Sequence, residues 1–321
     1  MATSGSINFT QTRNEIITTA FQLAGIYGVG RTTSSEDEAL ANTLLNLMIK
    51  SWQEQGLHLW AKEEAFLFIA DNTGVYTLSN DSSSAKACSR SDAVITQLDG
   101  DHATAATSLT VDTTTGMTTS DIIGVVLDDD TIEWTTISTI PTSTTLTIAS
   151  GLDSAAADNS YVYTFTSRIN KPLRILSMRR VIGIDSTTSS TRTETLMAGV
   201  SHDEFFSLST KTRNGVPTQY YYNPDLSTGT LYLWPRPDDP NYHFEFTYER
   251  MLEDFDAATD NADFPSHWLE PMCYQLAFRL AIAFSRNDKM QILGPVASQM
   301  LENLLNSDRE ITMISMMPRM N

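Results

Sequence analysis

The sequence predicts an α+β protein: a helical bundle formed by N- and C-terminal helices, joined to an antiparallel β domain that carries an inserted small β-barrel or sandwich module. Three observations predict it. Apolar residues recur at helical spacing near both chain ends, from Ile16 to Trp52 and from Leu269 to Leu305. Between them the pattern shortens to alternating runs, such as Phe66 with Phe68 and Tyr76 with Leu78. Within that β region, Ser91 to Ser167 holds 19 threonines and 11 acidic residues but no lysine or arginine, a composition shift that marks a separate module.

Taken in order, residues 1–62 read as a helical hairpin. Thr12 and Glu15 have the spacing of a capping box, in which each side chain satisfies the other's backbone N–H, and Gly25 and Gly28 stop the helix that follows. A second start signal at Ser35 with Glu38 precedes a stripe of Leu40, Leu44, Leu47, Met48 and Trp52, which Gly56 ends. Residues 63–90 and 168–250 form the antiparallel β domain, and 91–167 the inserted module, with strand candidates SLTVD, DIIGVVL, IEWTTIS, TLTIA and YVYTFT. Residues 251–307 supply an acidic link and the C-terminal helices. Pro265 can open a helix because the N–H it lacks would be unpaired there. Leu269, Met272, Cys273, Leu276, Leu280 and Phe284 then form one apolar face, and Val296, Ala297, Met300, Leu301, Leu304 and Leu305 belong to a further helix that Gly294-Pro295 either kinks or begins. Residues 308–321 form an extended tail.

The chain has 321 residues, with 21 Lys plus Arg against 39 Asp plus Glu, for a formal charge of −18. Duplex affinity comes largely from Lys and Arg displacing counterions, so this balance argues against a nucleic-acid reader. No apolar run reaches the ~18 residues of a membrane span and the N-terminus lacks a signal-peptide design, which reads as a soluble intracellular product. Cys88 and Cys273 are too isolated for a disulfide framework or zinc ribbon, and His58, His102, His202, His243 and His267 lack metal-ligand spacing. The glycine-rich link GIYGVGRTTS has no preceding strand and no Gly-Lys-Ser/Thr, so it is a hairpin turn and not a phosphate loop. Asp128, Asp129 and Asp130 read as a solvated turn, since their spacing does not suit a calcium loop. No catalytic, cofactor-binding or metal-binding residue is assigned, and the protein is not read as an enzyme.

Two segments ask for protein partners. RINKPLRILSMRR gathers Arg168, Lys171, Arg174, Arg179 and Arg180 with no acid among them. Strand alternation would place Arg168, Arg174 and Arg180 on one face and Lys171 and Arg179 on the other, so contact with the acidic surface of a neighbouring subunit fits better than a DNA groove. The tail carries Arg309, then Ile311, Met313, Ile314, Met316 and Met317, apolar on both faces of an extended chain, a pattern that orders against a partner groove.

KPLRILSMRR, SHDEFFSLSTKTRNGVPTQYYYNP, GTLYLWPRPDD and ERMLEDFDAATDNADFPSHWLEPMCYQLAFRLA together resemble the head-to-tail adaptor proteins of short-tailed bacteriophages, the connector, packaged-DNA-stabilisation and tail tubular A-like group. The resemblance covers the N-terminal helix pair and nearly everything after Arg168; the threonine-rich block departs from the minimal members. It implies a structural protein made in the host cytoplasm and placed at the head–tail junction of the virion, a homo-oligomer forming a dodecameric ring, docked on the portal protein through its tail and receiving tail nozzle or tail-fibre proteins. DNA would pass through its channel without sequence-specific binding, and no membrane is involved. Two other readings stay open: a tail-tube or baseplate component, and a glycan-binding virion-surface β protein that would use Tyr220, Tyr221, Tyr222 and Trp234 as an aromatic platform.

Overall fold

The computed structural model describes residues 5–6, 8–55, 59–69, 73–81, 83–183 and 192–307. The chain opens with α1 (Arg13–Leu23) and α2 (Ser35–Gln55). Strands follow as β1 (Lys62–Leu67), β2 (Val75–Leu78), β3 (Ala87–Ser89), β4 (Val94–Gln97), β5 (Ser108–Thr110), β6 (Ile122–Val126), β7 (Ile132–Thr139), β8 (Thr145–Ile148), β9 (Tyr161–Phe165), β10 (Arg174–Ile182), β11 (Thr193–Leu196) and β12 (Ala198–Gly199). A short α3 (His202–Ser207) precedes β13 (Gln219–Pro224), β14 (Gly229–Trp234) and β15 (Tyr242–Glu249), and α4 (Leu269–Ala283) and α5 (Asn287–Ser307) complete the described chain. It is a mixed α+β protein with mostly antiparallel sheets, divided into two compact units: Met1–Ala61 with Leu252–Asn321, and Lys62–Met251.

In the helical unit, α1 starts on the capping box: Thr12 Oγ1 accepts from Glu15 N–H, and Glu15 Oε2 accepts from Thr12 N–H at 2.8 Å. Gly25 sits at φ +65°, a left-handed conformation that side chains with a Cβ resist, and turns the chain out of α1. The cap of α2 is Ser34, one residue before the Ser35 that the sequence pattern favoured. Its Oγ accepts from Asp37 N–H at 3.2 Å, while Glu38 turns to the Thr33 hydroxyl. Phe21, Leu45, Trp52, Trp268, Leu276 and Leu280 lie in one core shared by α1, α2, α4 and α5, with the Trp52 and Trp268 rings 5.5 Å apart. The acidic link is tied to α2 by reciprocal bonds: Asn46 Nδ2 donates to Phe255 O at 3.1 Å, and Phe255 N–H donates to Asn46 Oδ1 at 3.0 Å. Pro265 precedes a 3-10 turn, Ser266–Trp268, that leads into α4. Of the two alternatives for Pro295, the structure takes the interior one: α5 begins at Asn287 and runs through it. Gln275 Nε2 donates to Ala297 O at 2.9 Å, tying α4 to α5 just beyond that proline.

In the β unit, a five-stranded sheet of order β11-β10-β15-β1-β3 and a four-stranded sheet of order β12-β13-β14-β2 share one core. Alternation does the sorting: Phe244, Phe246 and Tyr248 from β15 and Ala65 and Leu67 from β1 enter that core beside Tyr220, Leu231 and Leu233. The threonine-rich segment forms a third sheet, β4-β9-β6-β7-β8-β5, including a strand (β4) that the sequence candidates omitted. Its outer strands meet again where Leu98 bridges Val111, so the sheet curls into a partly closed barrel around Leu109, Ile123, Val125, Leu146 and Val162. A Cβ on Gly124 would lie 2.7 Å from the Trp134 ring, so only glycine lets that indole lie across β6. The barrel packs on the five-stranded sheet through Phe66, Phe68, Cys88, Val126, Tyr163 and Phe165; the Phe68 and Tyr163 rings stack at 4.7 Å, and Tyr163 Oη donates to Pro240 O at 3.0 Å.

Candidate assembly surfaces

The face of the five-stranded sheet that the barrel partly covers also carries charge. Opposite its aromatic residues, β15 presents His243, Glu245, Thr247 and Glu249, of which Glu245 and Glu249 are 0% and 1% exposed. Glu245 Oε1 accepts from Arg90 Nη1 at 2.6 Å and lies 3.5 Å from Arg179 Nη2, while Oε2 accepts from Arg192. Glu64 pairs with Arg90 at 2.7 Å, and Glu194 with Arg192 at 2.7 Å and with Arg179 at 3.3 Å. Three carboxylates thus balance three guanidinium groups across all five strands, the arrangement a buried charge requires. Burial works against the Arg192 charge, but bonds to Glu194 and the charge of Glu245 outweigh it and raise its pKa. The hydrogen bond from Arg192 is the main cause holding the Glu194 carboxyl low. His243 sits among the Phe66, Phe68 and Tyr163 rings, and burial pushes its pKa down to about 3.

The basic residues singled out in the sequence all find partners in their own chain. Arg168 and Lys171 precede β10 and bind carbonyls: Arg168 Nε donates to Ala85 O at 2.9 Å, and Lys171 Nζ to Asp225 O at 2.7 Å. Arg174 pairs with Glu249, and Arg180 lies over the Tyr242 ring at 5.7 Å. The simple alternation expected for this stretch does not hold. Register passes from Ile175 opposite Tyr248 to Ser177 opposite Thr247, a bulge at Leu176 that shifts the parity. Arg174 and Arg179 therefore share the charged face and Arg180 points to the other side. The tail residues Arg309, Ile311, Met313, Ile314, Met316 and Met317 lie outside the described residues, as does His58.

The expected aromatic platform is also divided. Tyr220 is buried in the core, Tyr222 Oη donates to Pro172 O at 2.6 Å, and Trp234 Nε1 donates to Thr210 O at 2.9 Å. Tyr221 faces outward, stacked on Tyr232 at 5.7 Å beside Phe205 and the 44% exposed Phe206 of α3. Sequence reading passed over α3, although Ser201 and Glu204 form the same capping box as Thr12 and Glu15. In the helical unit, Glu253, Asp254, Asp256, Asp260 and Asp263 line an acidic cleft of 440 Å³. Among the described residues no group of three or more His, Cys, Asp or Glu could hold a metal ion, and no helix is long and apolar enough to cross a membrane. Both cysteines are buried, and burial pushes the Cys273 thiol up to about 11.

Residues 117–318 match the SU10 adaptor protein family, more than half of the chain. The chain belongs to that family. The SU10 adaptor match begins inside the barrel ahead of β6 and takes in β6 to β15, α4 and α5 into the C-terminal segment. It thus takes in much of the threonine-rich block, which the sequence resemblance set apart, and leaves α1, α2 and β1 to β5 outside. No curated protein matches the chain. Membership makes it a phage structural adaptor, a virion component that works by contact with other virion proteins.

Proposed function

We propose that this protein is the head-to-tail adaptor of a phage virion, with about twelve copies closing by a heterologous interface into a ring under the portal. The ring extends the DNA channel, helps retain packaged DNA and gives the tail its attachment platform; it has no catalytic chemistry. Family membership carries the reading. The match runs to residue 318, so Arg309, Ile311, Met313, Ile314, Met316 and Met317 fall inside the family pattern, which supports a functional, portal-docking tail. The helices of the two chain ends act as one bundle in this reading, and the tail leaves from its last helix. Contacts between subunits draw on the exposed parts of Arg168, Lys171, Arg174, Arg179 and Arg180, with Arg174, 48% exposed, best placed to share its charge with a neighbour. The net charge of −18 suits a channel that DNA passes without sticking, because like charge repels phosphate.

Mass photometry of the purified chain, alone and with its portal, tests this against a version ending at Asn306. A ring that forms on the portal with the full-length chain and is lost on truncation is the expected result. Assembly into tubes without a portal would replace the reading with a tail-tube component. Glycan binding without portal binding would replace it with a surface β protein that uses the Phe206, Tyr221 and Tyr232 cluster.

A further inference from the structure

Strand β11 lies at the edge of the five-stranded sheet and buries no side chain: Thr193, Glu194, Thr195 and Leu196 are all exposed. Edge strands ordinarily stay in place because alternate residues enter the core. Here that anchor is missing, and what remains is main-chain pairing to β10 and charge. The next residue, Met197, is buried, and its N–H donates to Met178 O at 2.9 Å. Immediately before β11, Arg192 reaches across β10 to the buried Glu245 carboxylate, and its Nε donates to Glu194 at 2.7 Å. The segment is therefore fastened by Met197 in the core, by the pairing of β12 with β13, by Glu194 on Arg179 at 3.3 Å and, at the most buried charge, by Arg192 on Glu245. Since Arg192 is only 13% exposed and Glu245 is fully buried, solvent and salt screen this contact far less than a surface pair. The same segment continues as β12, the edge of the four-stranded sheet.

We propose that Arg192 is an ionic clasp that holds the double-edge segment from Thr193 to Gly199 in place, and that its release opens the edges of both sheets while the rest of the β unit stays folded. Releasing β11 and β12 would bare β10 and β13, two longer strands whose backbone groups are then free to pair. The device is carried by the isolated chain and does not depend on the adaptor reading.

Hydrogen exchange of the full-length chain, read by mass spectrometry, tests it. The pairing of Met197 with Met178 and the antiparallel alternation turn the Thr195 and Met197 amides toward β10, so these report on the clasp. Arg192→Gln should speed their exchange by about tenfold or more, as loss of a charge-assisted bond implies, while β15 and β1 amides keep their protection. Arg192→Lys should restore part of the protection. Arg90→Gln is the control, because Arg90 holds the same carboxylate from the far edge of the sheet, and it should leave β11 protected. Unchanged protection in Arg192→Gln overturns the proposal. So does equal loosening of β15 and β11 in both variants, or failure of Arg192→Gln to fold, since either result would make the cluster a support for the whole sheet.

Discussion

Asp121 in the barrel and Glu245 in the five-stranded sheet are both buried carboxylates, 2% and 0% exposed, and the chain satisfies them in opposite ways. Asp121 is served from three residues away: Thr118 N–H and Thr118 Oγ1 each donate to it at 2.6 Å. Glu245 draws its partners from Arg90, Arg179 and Arg192. Composition forces the difference. From Ser91 to Ser167 the barrel has no lysine or arginine, so its carboxylates use hydroxyls and backbone N–H groups: the buried Asp121 takes those of Thr118, three residues away, and Asp92, Asp128 and Asp158 take N–H groups of distant turns. The sheet receives cations from elements far apart in sequence, and so its charges fix long-range order.

The largest effect should come from cutting the long-range solution. Glu245→Ala leaves three guanidinium groups facing two carboxylates and takes from Arg192, 13% exposed, its buried partner; breaking a buried ion pair in this way costs about 3–5 kcal/mol. Urea unfolding of the full chain measures it through the shift in midpoint. Glu64→Ala, whose carboxylate is 42% exposed, should cost far less although it touches two of the same arginines, Arg90 and Arg179. Equal losses for the two variants would break the contrast between buried and surface members of the network.

The same division explains what could be read from the sequence. The Thr12–Glu15 box was legible because it is local, and the start of α3 at Ser201 was equally written but passed over. The pattern sets the α2 cap one residue late because Ser34 and Ser35 both fit it, and only the hydrogen bond from Asp37 N–H decides between them. Alternation in β15 separates Phe244 and Phe246 from Glu245 by inspection, but nothing local names the arginines that reach it. The bulge at Leu176 has no residue signature either, and so simple alternation puts Arg174 and Arg180 on one face although the sheet separates them. Pairing across distance, and the bulges that set its parity, are decided by the whole sheet.

A smaller effect is expected at the local site. Asp121→Ala leaves the Thr118 N–H and hydroxyl without their acceptor in a part-buried turn, at a cost of about 1–3 kcal/mol. Because both bonds join the same two residues, Thr118→Val combined with Asp121→Ala should cost less than the sum of the two single changes. Additive losses in a urea-unfolding cycle would show that the Thr118 hydroxyl contributes nothing to holding Asp121, leaving the Thr118 N–H as its local support.

The smallest effect at neutral pH sharpens the comparison from the uncharged side of the same strand. His243 shares β15 with Glu245, yet it is held neutral: burial pushes its pKa from 6.5 to about 3, and the neighbouring Arg192 charge adds to the shift. Phe66, Phe68 and Tyr163 supply its other surroundings, and its Nε2 has no hydrogen-bond partner among the described residues. Between pH 6.5 and pH 3 the unfolded chain therefore binds a proton that the folded chain refuses, so this group's contribution to stability is complete above pH 6.5 and is lost as pH falls toward 3. His243→Phe removes the titration and keeps an aromatic ring in an aromatic site. At pH 7 the variant should match the parent within about 1 kcal/mol, as an approximately volume-conserving core exchange does. At pH 5 it should gain about 2 kcal/mol on the parent, the proton-binding advantage of an unfolded histidine 1.5 pH units below its pKa. Urea unfolding at the two pH values gives the difference directly. A gap that stays constant would mean that His243 accepts its proton in the folded sheet, with Glu245 close enough to hold it against Arg192, and the division of β15 into one charged and one neutral buried group would fall.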